Sequence, residues 1–108
     1  IDSHMNSITR FKLALTEDNP TIKPYEEAQW AVLNDTVDYS IQSSTKLLAG
    51  IHQRWVILLE QLETSQLQRT YMHPEGNECI SLHESLAIYA WHCNHHLQHI
   101  INAKAFKY

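Results

Sequence analysis

The stretch Ser81–Ile100, SLHESLAIYAWHCNHHLQHI, carries apolar residues at Leu82, Leu86, Tyr89, Cys93, Leu97 and Ile100, three or four apart throughout. That period is one face of an α-helix. Ser81 and Glu84 open it with the Ser-x-x-Glu arrangement of a capping box, in which each side chain satisfies an amide of the other's turn. The spacing predicts a helix from Ser81 to about Ala105. His92, His95, His96 and His99 all fall on it, out of eight histidines in 108 residues. At about 100° per residue, His92 and His96 lie on average about 80° from the centre of the apolar stripe, and His95 and His99 about 140° from it. The first pair borders the core and the second faces solvent. Imidazoles at i and i+4 stand one above the other, close enough to share an ion at a metal–nitrogen distance of about 2.0–2.1 Å.

A lone histidine beside a core is ordinarily a hydrogen-bonded packing residue, and a single i, i+4 pair arises easily by chance. Four imidazoles on one helix tilt the reading of His92 and His96 toward a metal site. The residue after His92 is Cys93, where a zincin protease needs Glu as general base, so that mechanism is not supported. Cys93 lies on the apolar stripe and reads as a small buried hydrophobe. His4, His52, His73 and His83 are scattered and read individually as surface or packing residues.

Two further segments follow a helical period. Ser3–Glu17 places Met5, Ile8, Phe11 or Lys12, and Leu15 on one side and stops before Asn19-Pro20; it reads as the end of a helix that starts earlier. A helix from about Ser40 to Leu62 has Leu48, Ile51, Trp55, Leu58, Leu59 and Leu62 as its stripe. Between them, TIKPYEEAQWAVLND reads as a loop with a short helical piece. TYMHPEGNECI, with Pro74 and Gly76, reads as a loop or a tight hairpin, Tyr71, Met72, Cys79 and Ile80 flanking the turn.

Size and charge exclude several classes. A chain of 108 residues, 44% hydrophobic, is expected to form one domain over residues 1–108 with a modest core. A net charge of -4, with eight scattered Lys and Arg, leaves no footprint for nucleic acid. No apolar run approaches the roughly 18 residues of a membrane span, and no signal peptide is evident, so a cytoplasmic location is expected. Cys79 and Cys93 do not resemble a disulfide framework and are expected to be free thiols. Two glycines, Gly50 and Gly76, cannot build a phosphate-binding loop.

Three strings carry a resemblance across nearly the whole chain: DSHMNSITRFKLALTEDNPTIKPYEEAQW (Asp2–Trp30), LLAGIHQRWVILLEQL (Leu47–Leu62) and YMHPEGNECISLHESLAIYAWHCNHHLQHI (Tyr71–Ile100). In this order they resemble the YfiT-like branch of the DinB superfamily. The resemblance implies an all-α, up-down four-helix bundle, often dimeric, holding a divalent metal, zinc or nickel, on three histidines. Two of these, at i and i+4 on the last helix, fall on His92 and His96, the pair the helical geometry selects. The third stands on the family's second helix just before its Asp-Ser-His segment, and this sequence opens with Ile1-Asp2-Ser3-His4, after that position. The expectation is a bundle shortened to about three main helices, with the open ligand place left to His4, to Asp2 or to a neighbouring chain. Asp2, three residues beyond the family's ligand, points closer to its side than His4, which is turned about 140° away.

Three protein ligands and an open position make a catalytic metal, able to polarise a carbonyl or activate water. The resemblance implies a metal-dependent hydrolase, and also a bacillithiol S-transferase, in which the metal activates a low-molecular-weight thiol toward an electrophile. Zinc binds thiolate well, and thiol transfer needs no carboxylate base. None is evident beside the pair, because Glu26, Glu27 and Asp38 read as solvated surface charges. Arg10, Tyr25, Trp30, His52, Arg54, Trp55 and Trp91 are candidate pocket residues, the aromatic ones more often core. The competing class is a helical self-association module with a degenerate two-histidine site. Uncovered apolar stripes predict that the chain self-associates, as a dimer in the first instance.

Overall fold

The computed structural model describes residues 1–37 and 40–106; Asp38 lies outside them. Three long helices and a hairpin make up most of the molecule. Helix α1 (Asp2–Thr16) buries His4, Ser7, Phe11 and Ala14, a three-four-three spacing that presents one face. The face expected through Met5 is therefore displaced by one residue at its start: Met5 is 37% exposed and His4 only 7%. The rings of Trp55 and Tyr89, edge-on to His4 at 5.9 and 6.1 Å, draw the imidazole inward. At its other end α1 has no basic residue in the last turn. Arg69, more than fifty residues on, supplies the cap: its Nε donates to the Ala14 carbonyl and its Nη2 to that of Glu17 at 2.7 Å. A guanidinium there also complements the negative end of the helix dipole.

Two single-turn helices, α2 (Glu27–Trp30) and α3 (Asn34–Val37), lead into α4 (Ile41–Glu60). The expected stripe of α4 faces inward. Trp55 is buried, and Leu48, Ile51, Leu58 and Leu59 are half-buried, as is Leu62 just past the helix end. One further turn, α5 (Thr64–Leu67), precedes strands β1 (Thr70–His73) and β2 (Glu78–Ser81).

The strands pair antiparallel, with Tyr71 opposite Ile80 and Met72 opposite Cys79. This corrects the all-α expectation, and the turn chemistry explains it. Pro74 enters the turn, and Gly76 (φ 78°) and Asn77 (φ 53°) take the left-handed conformations that reverse the chain, which glycine and asparagine adopt at least cost. The hairpin is held on both sides. Met72 donates its N–H to the Pro20 carbonyl and accepts one from Ile22, at 2.8 and 2.9 Å. The buried Tyr71 hydroxyl lies 3.1 Å from Ser85 Oγ.

Helix α6 (Leu82–Phe106) begins on the capping box expected from the sequence. Ser81 Oγ accepts the Glu84 N–H at 3.1 Å, and the Glu84 carboxylate accepts the Ser81 N–H at 2.9 Å. The bonds from Ser81 hold the Glu84 carboxyl below its ordinary range. Ser81→Ala is expected to cost about 1 kcal/mol of stability, the usual worth of an N-cap, checked by urea unfolding.

Phe11, Ala14, Ile22, Trp55, Tyr71 and Leu82 form the core, with Ile8, Leu15, Leu58, Leu59, Ile80, Leu86 and Tyr89 packed around it. The core therefore collects where the later turns of α1 and α4 meet the hairpin and the first turns of α6. Further along α6 the stripe leaves it: Cys93 is half-buried, and Leu97 and Ile100 are 53% and 59% exposed. Among the described residues no helix is long and apolar enough to cross a membrane. Cys79 and Cys93 are both free.

Candidate metal centre

His92 and His96 stand one turn apart on α6, as their spacing requires. Their Nε2 atoms face each other at 2.9 Å. With metal–nitrogen bonds of about 2.0–2.1 Å, that separation subtends about 90° at a shared ion, the angle between adjacent ligands of an octahedral site. A small opening of the rings gives the wider tetrahedral angle. The pair therefore fits a divalent ion without moving the helix. His92 Nδ1 is buried with no hydrogen-bond partner among the described residues. Burial, and then the neighbouring imidazoles of His96 and His95, lower the pKa of His92. A lowered pKa favours the neutral ring, the form that binds metal.

The pair opens into a cleft of about 600 Å³ between α1, α2, α4 and α6. Asp2 and His4 from α1, Tyr25, Glu27 from α2, His52 and Leu48 from α4, and Cys93, Leu97 and Ile100 from α6 line it. His4 belongs to the cleft rather than to the scattered surface set. Its ring centroid lies 4.7 Å from that of His52 and 6.4 Å from that of His92, and its Nε2 is 3.4 Å from Cys93 Sγ. Burial first, and then the neighbouring His52, His92 and His96, lower its pKa to about 4. His4 is thus a neutral imidazole at neutral pH.

Other expectations need correction. Cys93 is half-buried rather than a closed core residue, its sulfur lies 3.4 Å from His4 Nε2, and donor atoms of His4, His52 and Cys93 all lie within 4.8 Å of one another. Asp2 lines the cleft together with His92 and His96. Glu27 lines the cleft too, and its charge acts on His92, raising its pKa against the other influences. Of the pocket candidates, Tyr25 and His52 line the cleft, while Trp55 is core. Trp30 packs on Tyr25 at 4.6 Å, and Arg54 lies on another face with Ile8 and Lys12. Trp91, 63% exposed, stacks on His95 at 4.7 Å. His95 and His99 face solvent as expected, while of the pair expected to border the core only His92 is half-buried and His96 is exposed. The signal for His52 was present in the sequence, since it stands four residues after Leu48 and three before Trp55, on the same side of α4.

The model of the DinB superfamily matches residues 1–100. The chain belongs to the DinB superfamily. A Halalkalibacterium halodurans protein named "Putative metal-dependent hydrolase" is 52% identical over 102 residues, covering 94% of this chain and 58% of that protein. A Bacillus mycoides protein of the same description is 48% identical over 104 residues, covering 96% and 59%. Among solved structures, YfiT from Bacillus subtilis superposes with a TM-score of 0.94 at 42% identity over 99% of this chain and 62% of that one. YfiT is described as a probable metal-dependent hydrolase with an unusual four-helix bundle topology. The chain thus spans less than two thirds of these relatives, and its helices correspond to part of a four-helix bundle.

Proposed function

We propose that this chain works as a metal-dependent hydrolase, with His92 and His96 holding a divalent ion, zinc or nickel, in the cleft. The observation that carries the reading is the pair of Nε2 atoms 2.9 Å apart, opening into a cavity large enough for a small substrate. A bound divalent ion supplies Lewis acidity, polarising a carbonyl and making water acidic near neutral pH. Glu27 takes the proton from the attacking water. Tyr25, a cleft residue whose phenol pKa burial raises further, donates a hydrogen bond to the developing oxyanion in this reading. Leu48, Leu97 and Ile100 give the substrate an apolar wall.

Two measurements test this. Elemental analysis of protein purified without a metal-affinity column is expected to find zinc or nickel that disappears in His92→Ala/His96→Ala. The metal-loaded chain is expected to release nitrophenol from p-nitrophenyl acetate, and Glu27→Gln to slow that release by about 100-fold, the lower range for loss of a general base. Thiol S-transfer is the second reading, supported by the nitrogen-rich donor set, which suits a zinc-bound thiolate. It gives a different pattern: conjugation of a small thiol to 1-chloro-2,4-dinitrobenzene, insensitive to Glu27→Gln. Absence of metal from a folded chain would leave the self-association module.

The exposed Leu47 on α4 and Ile101 on α6, outside the cleft, support the accompanying proposal that two copies bury these faces against each other. Sedimentation equilibrium is expected to give at least a dimer at micromolar concentration. A monomer at all concentrations would remove this proposal.

A further inference from the structure

Beside the His92–His96 pair, three side chains from three different helices converge on one point: His4 from α1, His52 from α4 and Cys93 from α6. One donor atom from each lies within 4.8 Å of the other two, and His4 Nε2 is 3.4 Å from Cys93 Sγ. In a tetrahedral zinc site, with Zn–N about 2.0–2.1 Å and Zn–S about 2.3 Å, nitrogen and sulfur ligands stand about 3.5 Å apart. The His4–Cys93 edge already has that length. His52 completes the triangle by side-chain rotation, which its exposed position on α4 allows.

We propose that His4, His52 and Cys93 form a second metal site, distinct from the His92–His96 pair, selective for soft or borderline divalent ions such as zinc and open at its fourth position to the cleft. The donor chemistry argues for it. Two imidazoles and one thiolate form a mixed nitrogen–sulfur donor set of the kind that borderline ions such as zinc and copper take, whereas the neighbouring pair offers nitrogen alone. The packing argues for it as well. His4 is 93% removed from solvent and wedged edge-on to Trp55 and Tyr89, so one ligand is already fixed. Cys93 sits on a rigid helix and is half-buried. On binding, the Cys93 thiol gives its proton to solvent and its sulfur becomes a metal ligand; the imidazoles bind as neutral rings with no proton to lose. No oxidant or reductant takes part. The site goes beyond the hydrolase reading and does not depend on it.

Cobalt(II) titration of the metal-free 108-residue chain carrying Cys79→Ser tests the proposal, because a thiolate ligand gives cobalt a near-ultraviolet charge-transfer band that imidazole does not. Two equivalents are expected to bind, one of them with the band. His92→Ala/His96→Ala should keep the band and lose one equivalent. Cys93→Ser should lose the band and keep the other equivalent. His52→Ala, at an exposed position that folding tolerates, should weaken the banded equivalent at least tenfold while far-ultraviolet circular dichroism stays unchanged. Absence of the band from the parent, or its persistence in Cys93→Ser, would overturn the site. A single equivalent lost in both the Cys93 and the His92/His96 variants would overturn it too, by making Cys93 a ligand of the first site. Neither result would touch the hydrolase reading, which is decided by the ester assay.

Discussion

Phe11→Ala is expected to remove about 3–5 kcal/mol of stability, the usual cost of emptying a buried aromatic site. For a domain of this size that is a large share of the total, which lies in the range of about 5–15 kcal/mol. The ring is fully buried, meets Trp55 edge-on at 5.2 Å, and belongs to a core of only six buried hydrophobic residues among those described. So few members leave little freedom to collapse around the hole, and the cavity term is expected to stay near its full value. The edge-to-face pair with Trp55 adds about 0.5–1.5 kcal/mol beyond burial. The damage should also travel to the cleft. Phe11 and His4 are seven residues apart on one face of α1, so loosening the later turns of that helix frees the imidazole that stands against His52. Urea unfolding followed by circular dichroism checks this, with Met5→Ala as the control, since Met5 is 37% exposed and its truncation should change stability by less than about 0.5 kcal/mol. A Phe11→Ala midpoint within error of the Met5→Ala value would mean that the core does not close as described.

The long helices were legible because their signals are local. Apolar spacing of three and four located α4 and α6, and Ser81 with Glu84 marked the start of α6 to the residue. The hairpin was legible only as one of two options: Pro74 and Gly76 announce a turn of some kind, but pairing needs contacts with Pro20 and Ile22, fifty residues away. The face of α1 was placed one residue off for a related reason. His4 counts as polar in a periodicity argument, yet aromatic neighbours on α4 and α6 make its ring a core residue. The same long-range packing hid most of the cleft. His92 and His96 are paired by helix geometry alone and could be found from spacing. His4, His52 and Cys93 meet only once three helices have assembled, and Glu27 and His92 line one cleft only once α2 and α6 have come together. Pairs within one element can be read from a sequence; clusters shared among elements cannot, because nothing local encodes which faces will meet.

In the metal-free protein, acid is expected to destabilise the fold well above the pH at which ordinary carboxylates titrate, through His4. Burial, and then the nearby imidazoles of His52, His92 and His96, hold its folded pKa at about 4, against an ordinary value of 6.5 when the chain unfolds. Between these two values the unfolded chain binds a proton that the folded chain refuses. Stability therefore rises with pH in that window. The contribution is fully present above about pH 6.5 and is lost progressively as the pH falls to about 4. At 1.36 kcal/mol per pH unit the loss has an upper bound of about 3 kcal/mol, reduced to the extent that water in the cleft screens the new charge. His92, whose pKa is also lowered by burial and its neighbours, adds to the same slope. Facing His4 from α4 is His52, and from α6 come Tyr89, His92 and Cys93; none of these offers the negative charge that would stabilise an imidazolium. Glu27 acts on His92 and not on His4. The check is urea unfolding between pH 7.5 and 4 in the presence of a chelator, for the parent and for His4→Asn, which cannot take up the proton. Subtracting one profile from the other cancels the carboxylates common to both. A difference that grows toward acid, with the parent losing more, would confirm that a neutral buried imidazole sits at the centre of the cleft. Parallel profiles would mean that His4 is free to charge in the folded state, and hence that the cleft around it is wet and open.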